Sequence, residues 1–197
     1  MTMPSVSQIA EDKRQAFVAT LTLAFANDPF MRWLLPDSAD YLTKFPGFLE
    51  IEGLSLSFQH NSTFATDGFE GVSFWLPPNV HGDENVMVQW MSDNARPEIL
   101  PTLMELGARI EAAHESCGPC WYLAYLGVDG AFQGQGLGSV LLKDKIEQLD
   151  REQQTAYLES SNPANISLYE RHGFVPIEQV ALPNAPIITP MVREPRS

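Results

Sequence analysis

The sequence predicts an α/β (α+β) fold: a mixed sheet with a βαβ unit near its centre, flanked by helices, with an all-helical insertion ahead of the central strand. Three observations predict it. Residues 62–76 read as a β-hairpin, residues 84–114 return to a helical period, and residues 121–159 run strand, glycine-rich loop, helix, strand. The last pattern requires parallel neighbours and a right-handed crossover.

Taken in order, residues 7–26 read as an amphipathic helix, with Ile9, Ala16, Phe17, Leu21 and Leu23 at apolar positions and Asn27-Asp28-Pro29 as its stop signal. A short aromatic segment, Phe30 to Leu35, closes at Pro36. Residues 39–60 have helical composition, with a break expected near Pro46-Gly47. Two β-prone runs, 62–66 and 71–76, then flank the turn dipeptide Asp67-Gly68, and Pro77-Pro78 ends the second. From 84 to 114 two helices are expected, broken near Pro97 and Pro101, with Met87, Trp90, Met91, Leu103, Leu106 and Ile110 on their apolar faces. A strand from Trp121 to Val128 leads into the glycine loop and a helix from Leu137 to about Arg151. A strand at 156–159, a helix at 164–171 and two strands near 174–181 and 186–193 complete the chain. No repeat, low-complexity segment or long linker divides it, so residues 1–197 read as a single domain.

The formal net charge of −13 gives a field that repels phosphate backbones and anionic membrane surfaces. Nucleic acid and membrane are therefore poor partners, and a cationic small molecule is a better one. The amino-terminal residues lack a basic segment followed by an apolar one, and no apolar run approaches the roughly 20 residues that span a bilayer. A cytoplasmic location is expected. Cys117-Gly118-Pro119-Cys120 spells the dithiol of thioredoxins and raises an oxidoreductase reading. Yet the pair follows a helix and precedes a strand, the reverse of the order that sets a thiol on a helix amino terminus and lowers its pKa. Gly118-Pro119 reads equally as a turn.

Gln133, Gly134, Gln135, Gly136, Leu137, Gly138 and Ser139 lie between a strand and a helix. Alternate glycines let the backbone approach a ligand, and the helix that begins there offers unpaired N–H groups and partial positive charge, the makings of a phosphate cradle. The glycines could also serve only a tight turn. The dinucleotide fingerprint fits poorly, because Asp129 to Gln133 intervene between strand and first glycine, and no Lys-Ser/Thr pair completes a Walker loop. Gly127, inside an otherwise strong strand, suggests a bulge or the close approach of another backbone-like chain, such as a pantetheine arm.

Gln133-x-x-Gly136-x-Gly138 resembles the acyl-CoA motif of the GNAT superfamily of N-acetyltransferases, and Leu168-Tyr169-Glu170-Arg171-His172-Gly173-Phe174 resembles its terminal signature. Residues 121–174, and more loosely 16–37, are similar to the puromycin N-acetyltransferase branch. The resemblance implies a splayed sheet and acetyl transfer from acetyl-CoA to a primary amine of a small molecule through a ternary complex, without a metal, by a monomer or homodimer. A non-catalytic CoA-binding sensor is the alternative.

On that resemblance, the backbone N–H groups from Gln135 to Ser139 would hold the pyrophosphate, Gln133 and Gly134 would belong to the same cofactor site, and Leu126, Gly127 and Val128 would pair with pantetheine. Tyr169 would protonate the departing thiolate, or else be a core tyrosine. Glu159 is the candidate general base, with a structural carboxylate as the other reading. Asn165 would contact the ligand, whereas Asn162 could do so or cap a helix. Asp28, Phe30, Trp33 and Trp75, with Trp90 nearby, are expected around the acceptor amine, Asp28 near the rim. Two departures stand out. Position 135, often basic in the family, is Gln, for which Lys143, Lys145 and Arg171 are candidate compensation, and the first strand of the fold should be very short or absent.

Overall fold

The computed structural model describes residues 4–196, so positions 1–3 and 197 of the predicted domain lie outside the described residues. The strands are β1 (Val6–Gln8), β2 (Thr63–Thr66), β3 (Gly71–Leu76), β4 (Trp121–Val128), β5 (Ala156–Ser160), β6 (Val175–Pro176) and β7 (Thr189–Arg193). They form one sheet in the order β1-β2-β3-β4-β5-β7-β6, antiparallel except between β4 and β5. The helices are α1 (Arg14–Ala24), α2 (Pro29–Leu34), α3 (Ser38–Ile51), α4 (Leu54–Gln59), α5 (Glu84–Asn94), α6 (Leu100–Ser116), α7 (Leu137–Arg151) and α8 (Ile166–Arg171). The unit β4-α7-β5 is the predicted parallel crossover, and α5 and α6 are the predicted insertion.

Two apolar clusters cover the two faces of the sheet. Phe17, Leu21, Phe45, Phe74 and Tyr125 pack together where α1 and α3 meet one face. Trp75, Leu142, Ile146, Leu149, Leu158 and Phe174 pack under α7 and α8 on the other. Strand β4 serves both by means of a bulge: Phe74 pairs with Tyr125 and Trp75 with Leu123, leaving Ala124 without an opposite number. Leu123 consequently belongs to the α7 side, whereas Ala124 and Tyr125 both pack on the α1 side.

Several boundaries differ from the sequence reading. Residues 7–13 are not α-helical: β1 pairs with β2, a single 3₁₀ turn covers Glu11–Lys13, and the helix begins at Arg14. The first strand is therefore present, three residues long. Pro46 lies within α3, and the break falls at Gly53, whose φ of +100° a side chain rarely adopts and whose added Cβ would sit 2.9 Å from Leu76. Leu42, whose carbonyl loses its helical donor to Pro46, has an exposed side chain, so the proline faces the less crowded side of the helix. In the hairpin, Phe69 rather than Gly68 takes the left-handed conformation. Pro101 starts α6 instead of breaking it. The last two strands shrink to 175–176 and 189–193, joined further on only by a bridge between Val180 and Ile188.

Candidate active site

The site begins where two parallel strands part. β4 pairs with β3 from Tyr122 to Val128, but with β5 only over Trp121–Leu123 against Ala156–Leu158. Beyond Leu123 the edge of β4 that faces β5 is open, and β5 continues along β7 on its other side. A cavity of about 720 Å³ occupies this region, lined by β4 and β5 and by residues from α2, α3, α5, α6 and α8.

On one flank lies the glycine loop. Asp129 folds it back by accepting the Ala131 N–H at 3.0 Å, and the Gln133 side-chain amide donates to the Val128 carbonyl at 3.1 Å. Gln133 thus ties the loop to the end of β4. Gly134 and Gly136 have φ of +76° and +84°, and Gly136 precedes α7 with no side chain capping the helix. The N–H groups of the first turn are left free for an anion. Gly138 is needed for a different reason, since an added Cβ would meet Leu168 at 3.1 Å. Leu137 is buried in the core and can offer only its backbone, whereas Gln133, Gly134 and Gln135 are exposed and Ser139 half-exposed. A free helix start beside an open strand edge fits an anionic ligand with an amide-bearing arm, such as a CoA thioester.

Gly127 has another origin than expected. Its added Cβ would fall 2.8 Å from Ala24 and 2.9 Å from Leu21, so the glycine lets α1 lie directly on β4. The bulge is at Ala124. Leu126 lines the cavity, but Gly127 and Val128 do not. The expected cationic compensation is also absent at Lys145, whose ammonium is buried over the Trp121 ring, 3.2 Å from its centroid. Lys143 pairs with Glu147, and Arg171 donates to Ser167.

On the facing flank are the acid and base candidates. Tyr169, buried on α8, lines the cavity, and its hydroxyl has no hydrogen-bond partner among the described residues. Burial and the nearby charge of Asp28 push its pKa above the ordinary phenol value, which keeps it protonated and able to donate. Glu159, half-buried on β5, is pushed up to about 7 by burial, against the hydrogen bond from Tyr122 that favours the ionised form. A carboxylate poised near neutrality is matched to proton abstraction. Tyr157 is held by stacking on His114, with ring centroids 4.3 Å apart.

The two asparagines separate. The Asn162 side chain accepts the Ala164 N–H at 3.0 Å and so caps a turn, whereas Asn165 lines the cavity and its side chain makes no hydrogen bond among the described residues. Asp28 also caps: one oxygen accepts from the N–H groups of Phe30 and Met31, and the other accepts from Ser161. It is buried, not at the rim, although it and Phe30 do reach the cavity. Trp33 and Trp75 do not line it. Trp75 is fully buried in the cluster under α7 because alternation along β3 turns it to the face opposite Phe74, and Trp33 packs beside Phe30 against the core. Trp90 packs on Phe48 outside the cavity.

The sequence reading missed Tyr122, Tyr157, His114 and Glu52. Tyr122 and Tyr157 sit one strand apart in register, a relation visible only once β4 and β5 pair. Cys117 and Cys120 are free; burial pushes both thiols up, Cys120 to about 12, the opposite of what a redox nucleophile requires. Among the described residues, no three His, Cys, Asp or Glu side chains are placed to hold a metal ion, and no helix is long and apolar enough to cross a membrane.

Residues 104–174 match the model of the Acetyltransferase (GNAT) family. Over 95% of its length the chain is 27% identical to an N-acetyltransferase of Schizosaccharomyces pombe, covering 82% of that protein. Its fold is similar to that of a Corynebacterium glutamicum structure described as histone acetyltransferase HPA2 and related acetyltransferase, with a TM-score of 0.67, 23% identity and coverage of 100% and 98% of the two chains. It is also similar to arylalkylamine N-acetyltransferase 2 from Aedes aegypti, with a TM-score of 0.69, 17% identity and coverage of 99% and 100%.

Proposed function

We propose that this chain, an acetyltransferase of GNAT type, moves the acetyl group of acetyl-CoA to a primary amine of a small cationic molecule by direct attack within a ternary complex. The observation that carries the reading is the opposition, within one cavity, of an unpaired protonated phenol and a carboxylate poised near neutrality, beside the open edge of β4.

In this mechanism the first turn of α7 binds the pyrophosphate, and the free edge of β4 orients the pantetheine amides, so the thioester reaches the splay. Bound there, acetyl-CoA supplies the acetyl group and a thiolate leaving group. Glu159 takes a proton from the incoming ammonium, directly or through water. The amine nitrogen forms a bond to the thioester carbonyl carbon, the carbon–sulfur bond breaks, and Tyr169 gives its proton to the sulfur; the second proton on the nitrogen then passes to the Tyr169 oxygen, directly or through water, and restores the phenol. The products are the acetamide and CoA. Asn165 is available to the acyl or pantetheine carbonyl, and Tyr122 holds Glu159 in place.

A screen of acetyl-CoA consumption tests the reading, with alkylamines, arylalkylamines, diamines, aminoglycosides and peptide amino termini as acceptors. Aminonucleosides are included because residues 121–174 resemble puromycin N-acetyltransferases. Turnover with small amines, lost in Tyr169→Phe, is the expected result. Binding of acetyl-CoA with no acetylation of any amine would point to a CoA sensor, and no binding of CoA in calorimetry would overturn the proposal altogether.

A further inference from the structure

The lining of the cavity has a one-sided charge. Among the described residues, seven carboxylates contribute to it, Asp28, Glu52, Asp83, Glu84, Glu111, Glu115 and Glu159, and no Lys or Arg does. Four of them, Asp83, Glu84, Glu111 and Glu115, are exposed and ring the mouth, whereas Asp28, Glu52 and Glu159 lie further in.

The three inner carboxylates are not equivalent. Asp28 is occupied by two backbone N–H groups and Ser161, and Glu159 by Tyr122. The Glu52 carboxylate has neither a hydrogen bond nor a cationic side chain within ion-pair distance among the described residues. Its place is also electrostatically adverse: it caps the carboxyl end of α3, where the helix dipole disfavours a negative charge. The loop after β3 shelters it, for Gly82 lies so close to the Ile51 carbonyl that an added Cβ would clash with that oxygen. Burial and the charge of Glu159 push its pKa up to about 8. Glu52 is half-buried and lines the cavity, so its unpartnered carboxylate is open to whatever occupies that space.

Resting on the N-acetyltransferase reading above, we infer that Glu52 is a specificity-determining residue that receives a second ammonium of the acceptor, so that the substrate class is an aliphatic diamine or longer polyamine. One nitrogen is presented to Glu159 for attack while the other stays charged against Glu52. The acidic mouth raises the local concentration of such a polycation.

The test compares kcat/KM for 1,4-diaminobutane, n-butylamine and 2-phenylethylamine with acetyl-CoA, in the wild-type chain and in Glu52→Gln and Glu52→Asp. The diamine should exceed both monoamines by about tenfold to a hundredfold, as one sheltered charge pair would give. Glu52→Gln should collapse that ratio and Glu52→Asp should restore part of it, with calorimetric acetyl-CoA affinity reporting that each variant is folded. The wild-type ratio needs no variant and decides on its own. Equal use of diamine and monoamines, preference for 2-phenylethylamine, or a ratio that survives in Glu52→Gln overturns the inference and leaves the N-acetyltransferase reading standing. Acetylation of no amine overturns both.

Discussion

The two ends of the proposed site are built from different materials. The CoA end is backbone: the free N–H groups at the start of α7 and the unpaired edge of β4, set by glycines at φ of +76° and +84°. The amine end is side chain: carboxylates and phenols brought in from α3, α6, β4, β5 and α8. A backbone site recognises what every CoA carries, and it tolerates changes of side chain as long as the chain can take the turn. A side-chain site carries selectivity and proton transfer, and there each residue type matters.

That contrast can be tested from both ends. The largest effect belongs to the amine end: Glu159→Gln should lower kcat by about 10²–10⁴-fold, the range of general base catalysis, while calorimetric CoA affinity stays unchanged. A loss of CoA affinity there would break the division. Next is Gly136→Ala, which forces a side chain into a left-handed φ at a cost of roughly 1–2 kcal/mol. CoA binding should weaken about tenfold, with kcat at saturation retained, as read by calorimetry and steady-state kinetics.

Smaller effects sharpen the electrostatic side of the comparison. The Tyr122 hydroxyl favours the ionised form of Glu159, so Tyr122→Phe should move the rising limb of the kcat/KM profile from about 7 to higher pH by roughly one unit. Glu52 concerns stability. Its folded-state pKa of about 8 lies above the ordinary 4.5, so the folded chain binds this proton more tightly than the unfolded one. The stability that this proton gives is complete below about 4.5 and is lost as the pH rises through about 8. Glu52→Gln keeps a neutral group there. Its Tm should match wild type at pH 5 and exceed it at pH 9, by about 2–4 °C for each kcal/mol recovered.

The same contrast explains what could be read from the sequence. The CoA end was legible because its parts are contiguous: strand, loop and helix follow one another from 121 to 151, and glycine spacing records backbone geometry directly. Tyr169 and Asn165 followed from the family resemblance around the terminal signature, Glu159 from its place at a strand end, and all three line the cavity. The amine end was not legible, because proximity there is tertiary. Glu52 gains its role from a helix break placed at Gly53, while the sequence pointed to Pro46-Gly47. Trp75, an aromatic residue at a plausible spacing, faces the opposite core. Gly127 looked like a ligand contact, yet it answers to Leu21 and Ala24, more than a hundred residues earlier in the chain.

The bulge at Ala124 accounts for that last kind of error. Alternation along a strand is a two-beat code, and one extra residue shifts its phase. Up to Leu123 the odd positions of β4 face α7; from Tyr125 on they face α1. Flattening the bulge with Ala124 retained would restore the even beat and send every later residue to the wrong side, with the Leu126 side chain arriving where α1 leaves room only for the hydrogen of Gly127. The small alanine therefore acts as a frame marker: it fixes which half of one strand belongs to each core, and so where the two sites meet.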